Sequence, residues 1–244
     1  MTNTDVITAR PWLDTSLAID ERVQLLLDEM TIVEKAGLFF HTMIAIGDLD
    51  EANPIFGTPS AREFVEVKNM THFNLLGAAP TGREIAAWQN ELQRLAASTR
   101  LGIPVTLSTD PRHSFSENPG ASILAGPFSQ WPETLGLAAT RDPELVERFA
   151  DIARQEYTAV GLRVALHPQV DLATEPRWAR QTATFGEDPE LTGILGAAYI
   201  RGFQGDTFGP GSVSTMTKHF PGGGPQLDGC LLYTSDAADD SLRV

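Results

Sequence analysis

The residues best suited to chemistry fall in three groups, each just past a β-prone run. Lys218 and His219 follow the run Ser212–Met216 and lead into Phe220-Pro221-Gly222-Gly223-Gly224-Pro225. This puts a cation and an imidazole side by side, and the three glycines let the backbone come close to whatever that pair holds. The lysine precedes the glycines, so the stretch is not a phosphate loop of the G-x-x-x-x-G-K-[ST] kind. Asp110 and His113 follow the run 104–107, and His167, Asp171, Arg177 and Arg180 follow the run 164–166. Gathered on one rim, an acid, arginines, a lysine and imidazoles suit a polyhydroxylated ligand, because charged groups form strong hydrogen bonds to hydroxyls. Plainer readings stay open for each. The glycines also read as a flexible turn, Asp110 as the cap of a turn before Pro111, and Arg177 and Arg180 as partners of Glu175 or Glu187. Trp178 suits a sugar face or the core equally, and His41 and His72 read as structural. The histidines show no H-E-x-x-H or other metal-ligand spacing, and no G-x-S-x-G elbow is present. No metal or cofactor is expected.

These groups need elements to position them. Residues 1–17 read as an irregular arm, and from Asp20 the apolar spacing of Val23, Leu26, Leu27 and Met30 predicts a helix. Thr31 with Glu34 forms a capping box for a second helix, and Ser60 with Glu63 gives a similar signal before Phe64 and Val67. Thr81 with Glu84 opens a long helix carrying Ile85, Trp88, Leu92 and Leu95, with Gly102 at its end. Asp142-Pro143 and Asp188-Pro189 each start a further helix. The first is expected to turn Leu145, Phe149, Ile152 and Ala153 inward, and the second Leu191, Leu195 and Tyr199, ending at Gly202 or Gly205. Strands are expected at 43–46, 73–76, 104–107, 164–166 and 212–216, with a loop from Ser108 to Pro132. The alternation argues for parallel βαβ units. In a parallel barrel the C-terminal strand ends converge on one face, where a site forms.

Composition narrows the classes. The 244 residues carry a net charge of −14 and are 42% hydrophobic. That is an ordinary soluble composition, and an acidic chain is a poor partner for nucleic acid or an anionic membrane. No apolar run approaches the ~18 residues of a membrane helix. The N-terminal residues lack an apolar signal-peptide core, and the one cysteine, Cys230, excludes an internal disulfide. A cytoplasmic location is therefore expected.

Two segments resemble a known family. They are Asp171-Leu-Ala-Thr-Glu-Pro-Arg-Trp-Ala-Arg180, running on to Phe185-Gly-Glu-Asp-Pro189, and Lys218-His-Phe-Pro-Gly-Gly-Gly224. With Asp110-Pro-Arg-His113, and with Arg22, Met30-Thr31 and Glu34-Lys35 nearer the start, they resemble the N-terminal domain of glycoside hydrolase family 3, the β-glucosidase family. The resemblance covers residues 10–229. It implies an α/β fold, a (β/α)8 TIM-type barrel incomplete at its C-terminal end. It further implies that Asp110, Arg180, Lys218 and His219 hold the non-reducing sugar of a β-linked oligosaccharide or glucoside, with His113 and Arg177 in support. Ala183 departs from the family, which often has Glu there, and Gly223 resembles the β-glucosidase branch rather than the β-N-acetylhexosaminidase branch, which typically shows His.

The family's chemistry is retaining, with a carboxylate nucleophile and an acid/base carboxyl about 5–5.5 Å apart. The nucleophile is an Asp in a Ser-Asp-Trp-like motif downstream of the Lys-His pair, whereas Ser235-Asp236 comes early and is followed by Ala237. After Gly229 the family pattern stops, and Cys230-Leu-Leu-Tyr-Thr-Ser resembles translated sequencing-adapter DNA. The expected division is thus a partial barrel domain, 1–229, and an artefactual tail, 230–244. The reading is a fragment of an exo-acting β-glucosidase-like enzyme, inactive alone because nucleophile and acid/base lie beyond the break. The alternative is a sugar-binding barrel that naturally lacks the nucleophile. A cofactor-binding α/β enzyme would need a G-x-G-x-x-G after an early strand, which is absent.

Overall fold

The computed structural model describes residues 9–54, 57–77, 81–115 and 125–219. The glycine run after His219 and the expected tail lie outside the described residues. The chain divides into two compact units, one built from Met1–Asn74 with Trp88–Thr106, the other from Leu75–Ala87 with Leu107–Val244. The fold is α/β. Five strands, β1 (His41–Ala45), β2 (His72–Leu76), β3 (Thr106–Thr109), β4 (Leu162–Ala165) and β5 (Ser214–Thr215), follow one another along the sheet in chain order.

In the first unit, the chain start is less irregular than expected. Pro11–Leu13 forms a 3-10 turn, and the buried Trp12 indole N–H donates to Leu101 O at 3.1 Å. Trp12, Met30 and Leu101 make a small apolar cluster with Leu13, Leu25, Leu26, Leu38 and Ile103 packed against it. Helix α1 (Ile19–Glu29) forms where its spacing predicts, but none of its residues is buried, and Val23 and Leu27 are 48% and 39% exposed. Of the expected inward face, Leu26 and Met30 meet the apolar cluster, with Leu25 beside them, whereas Val23 and Leu27 turn outward. An apolar stripe is buried only as far as a neighbouring surface covers it. Helix α2 (Ile32–Gly37) starts on the expected capping box of Thr31 and Glu34. A Cβ at Gly37 would lie 2.3 Å from Asn69 O, so only glycine admits that approach. One turn of π-helix, Glu63–Val67, follows Ser60, whose hydroxyl accepts from the Glu63 N–H.

Helix α3 (Gly82–Ser98) opens on Thr81 and Glu84, and Ile85, Trp88, Leu92 and Leu95 are buried as the spacing predicts. Strand β3 starts two residues later than expected, at Thr106 rather than Pro104. The cause is the Gln93 side chain. Its amide donates to Val105 O at 2.6 Å and accepts from Val105 N–H at 3.1 Å, taking both groups that a strand neighbour would need. Pro104 has no N–H to offer.

The second unit carries the parallel pairs. Leu107 faces Leu162 and Thr109 faces Ala165 across β3 and β4, while Val164 faces Ser214 and Ala165 faces Thr215 across β4 and β5. A short helix, α4 (Thr134–Ala139), lies where no element was expected, six residues being too few to show a period. Helix α5 (Pro143–Ala159) is capped by Asp142, whose carboxylate accepts from the Leu145 N–H. Its buried face is Val146, Phe149, Ala150, Ala153 and Tyr157, with Leu145 and Ile152 turned to its margins. Helix α6 (Pro189–Gln204) is capped by Asp188 and buries Leu195 and Tyr199, with Leu191 at its margin. Its two candidate terminal glycines do different work. The helix runs through Gly202, where a Cβ would sit 2.4 Å from Glu147 O and 2.5 Å from Ala150 Cβ of α5. It stops at Gly205, whose φ of 75° suits glycine.

Candidate functional site

The polar groups of the second unit hang from the C-terminal ends of β3, β4 and β5. Parallel hydrogen bonding continues past the strands: Leu166 N–H donates to Thr109 O, Met216 N–H to Ala165 O, Lys218 N–H to Pro168 O, and Val170 N–H to Lys218 O. Gln169 and Lys218 thereby form a parallel bridge. Asp110 follows the last residue of β3 directly, and Lys218 stands beyond β5. Strands β3 and β5 flank β4, about 9–10 Å apart. Their side chains nevertheless meet over its end, with Lys218 Nζ donating to Asp110 Oδ1 at 2.9 Å. The two side chains are only 19% and 21% exposed, so their attraction is less screened than at an open surface.

Asp110 is held from below. The Thr109 hydroxyl donates to Asp110 O at 2.9 Å and accepts from Arg112 Nε at 2.6 Å. Arg112, 1% exposed, also donates to Gly77 O at 2.6 Å and Leu75 O at 2.7 Å. Burial lowers its pKa from the usual arginine value, against the opposing pull of Tyr157 and Asp110.

His219 is oriented by Asp171. The Asp171 side chain is fully buried, and its Oδ2 lies 2.7 Å from His219 Nδ1. A carboxylate there accepts the Nδ1 proton and so fixes the ring's orientation, with Nε2 turned away from Asp171. The His219 backbone N–H donates to the same carboxylate at 3.4 Å. Arg180 sits at the start of the 3-10 turn Gln181–Ala183, and its Nη2 donates to Gln169 Oε1 at 2.9 Å.

Under these groups lies an aromatic and imidazole bed. His167 is fully buried between Tyr199, whose hydroxyl is 2.6 Å from Nδ1, and Tyr157, whose hydroxyl is 3.3 Å from Nε2. Burial, then the nearby Lys218 and His113 charges, push its pKa well below the usual value, so the ring is neutral. Burial raises both tyrosine hydroxyls in turn.

Of the remaining sequence candidates, His113 joins the aromatic bed through Tyr157, while Arg177 and Trp178 make other contacts. His113 is buried, with Nε2 2.9 Å from Glu156 Oε2 and its ring among Phe128, Phe149 and Tyr157. Burial raises the Glu156 pKa, but the bonds from His113 and Ser129 outweigh it and the net shift is downward. Arg177 is 61% exposed and grips Glu175 through Nε at 2.8 Å and Nη2 at 2.9 Å. That bond, with one from the Arg177 N–H, lowers Glu175 to about 2. Trp178 is 2% exposed, which makes it a core residue rather than a stacking platform.

The arrangement presents a carboxylate, two cations and an oriented imidazole at the ends of parallel strands, a group able to give and take hydrogen bonds with many hydroxyls. Sequence reasoning missed Arg112, Gln169 and Glu156. Apart from the Thr109 hydroxyl on Arg112, their partners are backbone carbonyls or residues farther along the chain, which no local pattern marks.

The fold is that of an α/β protein with polar groups at its strand ends, and comparison with known proteins specifies the family. Residues 65–240 match the glycosyl hydrolase family 3 N-terminal domain, and the chain belongs to that family. It is 57% identical over 217 residues to a probable beta-glucosidase C of Aspergillus flavus, covering 88% of this chain and 34% of the relative. It is 45% identical over 222 residues to a periplasmic beta-glucosidase/beta-xylosidase of Dickeya chrysanthemi, covering 90% of this chain and 34% of that protein. The crystal structure of a beta-glucosidase from Listeria innocua in complex with isofagomine matches with a TM-score of 0.61 at 26% identity, over 83% of this chain and 26% of the other. The chain thus spans about a third of the length of the curated relatives it matches. Among the described residues, no helix is long and apolar enough to cross a membrane.

Proposed function

We propose that this chain is the sugar-gripping part of a retaining, exo-acting β-glucosidase-like enzyme that removes β-linked glucose or a similar sugar from a non-reducing end. The observation that carries the reading is the Asp110–Lys218 pair, 2.9 Å apart, beside an imidazole set by Asp171. A carboxylate has about four lone-pair sites, so Asp110 keeps Lys218 while accepting two sugar hydroxyls. Lys218 and Arg180 donate to ring hydroxyls, and His219 Nε2 accepts from one. His113 and Arg177 support from further out. Residues 1–229 are the first part of a (β/α)8 barrel, whose closing strands, with the nucleophile and the acid/base carboxyl, belong to the part of the relatives' length that this chain does not span. Residues 230–244 are proposed as adapter-derived, which reading the source DNA past codon 229 tests. The cytoplasmic location belongs to this proposal too. It stands against the relative named periplasmic, and cell fractionation decides it.

The test is calorimetric titration of isofagomine into the purified chain and its D110A variant. Losing a charged hydrogen bond worth about 1.5–3 kcal/mol should weaken binding roughly 10- to 150-fold. Equal affinities would remove Asp110 from the site. The chain alone should not turn over 4-nitrophenyl β-glucoside, because positioning groups do not replace a covalent nucleophile. Turnover by the purified chain would overturn that placement of the nucleophile.

A further inference from the structure

Gln169 has a place in the site that its residue type does not explain by packing. It is 2% exposed, in the loop after β4, and bridged to Lys218 through the backbone. Its Oε1 accepts from Arg180 Nη2 at 2.9 Å, while its Nε2 is buried with no hydrogen-bond partner. The acceptor must be the oxygen, since a guanidinium only donates. An apolar side chain of the same length, such as methionine, would fill this space without burying an unmet amide N–H. What the amide adds is the bond to Arg180. The Arg180 Nε is likewise buried and unpartnered, so the guanidinium is fixed through its Nη2.

We infer that Gln169 is the positioning residue for Arg180, locking the guanidinium in one rotational setting with its charge intact. The neutral acceptor matters. A carboxylate in its place would hold the guanidinium as firmly but would also neutralise it, weakening its pull on ligand oxygens. Gln169 thus stands between the two cations of the site. It bonds Arg180 through its side chain and lies opposite Lys218 in a bridge whose hydrogen bonds run from Lys218 N–H to Pro168 O and from Val170 N–H to Lys218 O. This deepens the sugar-gripping reading and rests on it for the role of Arg180.

The experiment uses the chain itself with Q169M and Q169E. A guanidinium held on one side rotates slowly about Nε–Cζ, so carbon-detected NMR resolves two Nη resonances for Arg180, assigned by their loss in R180K. Wild type and Q169E should show two and Q169M one averaged resonance. The Arg112 signals, whose bonds go to Thr109, Gly77 and Leu75, should stay unchanged as the internal control for folding. Isofagomine affinity should fall about tenfold in both variants, in Q169M through lost positioning and in Q169E through lost charge. Two Arg180 resonances persisting in Q169M, or a Q169E chain with a single averaged one, would overturn the inference. A wild-type chain that shows the Gln169-dependent splitting but binds no isofagomine would refute the sugar reading while leaving the positioning role standing.

Discussion

Arg100 in the first unit and Arg112 in the second are handled in opposite ways. The Arg100 side chain is 48% exposed and spans two carboxylates, reaching Glu34 through Nε at 3.0 Å and Nη2 at 2.7 Å and Glu29 through Nη1 at 2.5 Å. It ties the chain after α3 back to α1 and α2, a staple between segments. Arg112 is buried, and its described hydrogen bonds go to two carbonyls and a hydroxyl. It leaves the nearby Asp110 carboxylate to Lys218. The contrast shows a surface cation used to hold chain segments and an interior cation used to hold backbone.

Removing the interior cation should have the largest effect. R112M strands the buried Leu75 O and takes one partner each from the exposed Gly77 O and the buried Thr109 hydroxyl, and unfolding stability should fall by about 2–4 kcal/mol. Urea denaturation followed by circular dichroism measures it. A loss below about 1 kcal/mol would show that the carbonyls find other donors and would erase the contrast with Arg100.

The staple should instead reveal itself through acid. Hydrogen bonding to Arg100 lowers the Glu34 carboxyl from 4.5 to about 2, with the Thr31 bonds adding to it against the cost of burial. A carboxyl depressed in the folded state contributes stability above its unfolded pKa, and that contribution is lost as pH falls toward the folded pKa. Between pH 4.5 and about 2 the wild-type chain should lose stability more steeply than E34Q. Parallel slopes in urea titrations across that window would mean that the Arg100 clasp gives no net preference for the ionised acid.

The smallest effect is expected at Arg177. Its partner Glu175 also has a pKa lowered to about 2 by hydrogen bonding, but the arginine is 61% exposed and the two residues are neighbours in the chain. Pairs of this kind contribute little to folding. R177A should melt within replicate scatter of the wild type. A clear drop in Tm would place Arg177 with Arg112 rather than with the surface pairs.

What the sequence disclosed follows the range of the forces involved. The caps Thr31–Glu34, Asp142 and Asp188 act within four residues, and each starts its helix as read. Asp110 and Lys218, 108 residues apart, meet because both follow parallel strands, a rule that needs only strand order. By contrast, the start of β3 was set by a glutamine 12 residues earlier, and the inward face of α1 by the small patch around Trp12. Arg112, quoted only within Asp110-Pro-Arg-His113, carries no assigned role in the sequence, because two of its three acceptors, Leu75 O and Gly77 O, lie 37 and 35 residues away. Glu156, on α5, gave no hint of its bond to His113.

The Gln93 clamp on Val105 also fixes an axial coordinate. Side chains alternate along a strand with a period of two, so a start delayed by two residues leaves every β3 residue facing as before. What changes is where pairing begins. At about 3.3 Å per residue, two residues amount to roughly 6.6 Å of chain before Thr106 that is held by a side chain rather than by a neighbouring strand. An amide side chain on α3 therefore acts on Val105 as the stop on a slide rule does, marking where strand pairing can begin while leaving the facing of each residue untouched.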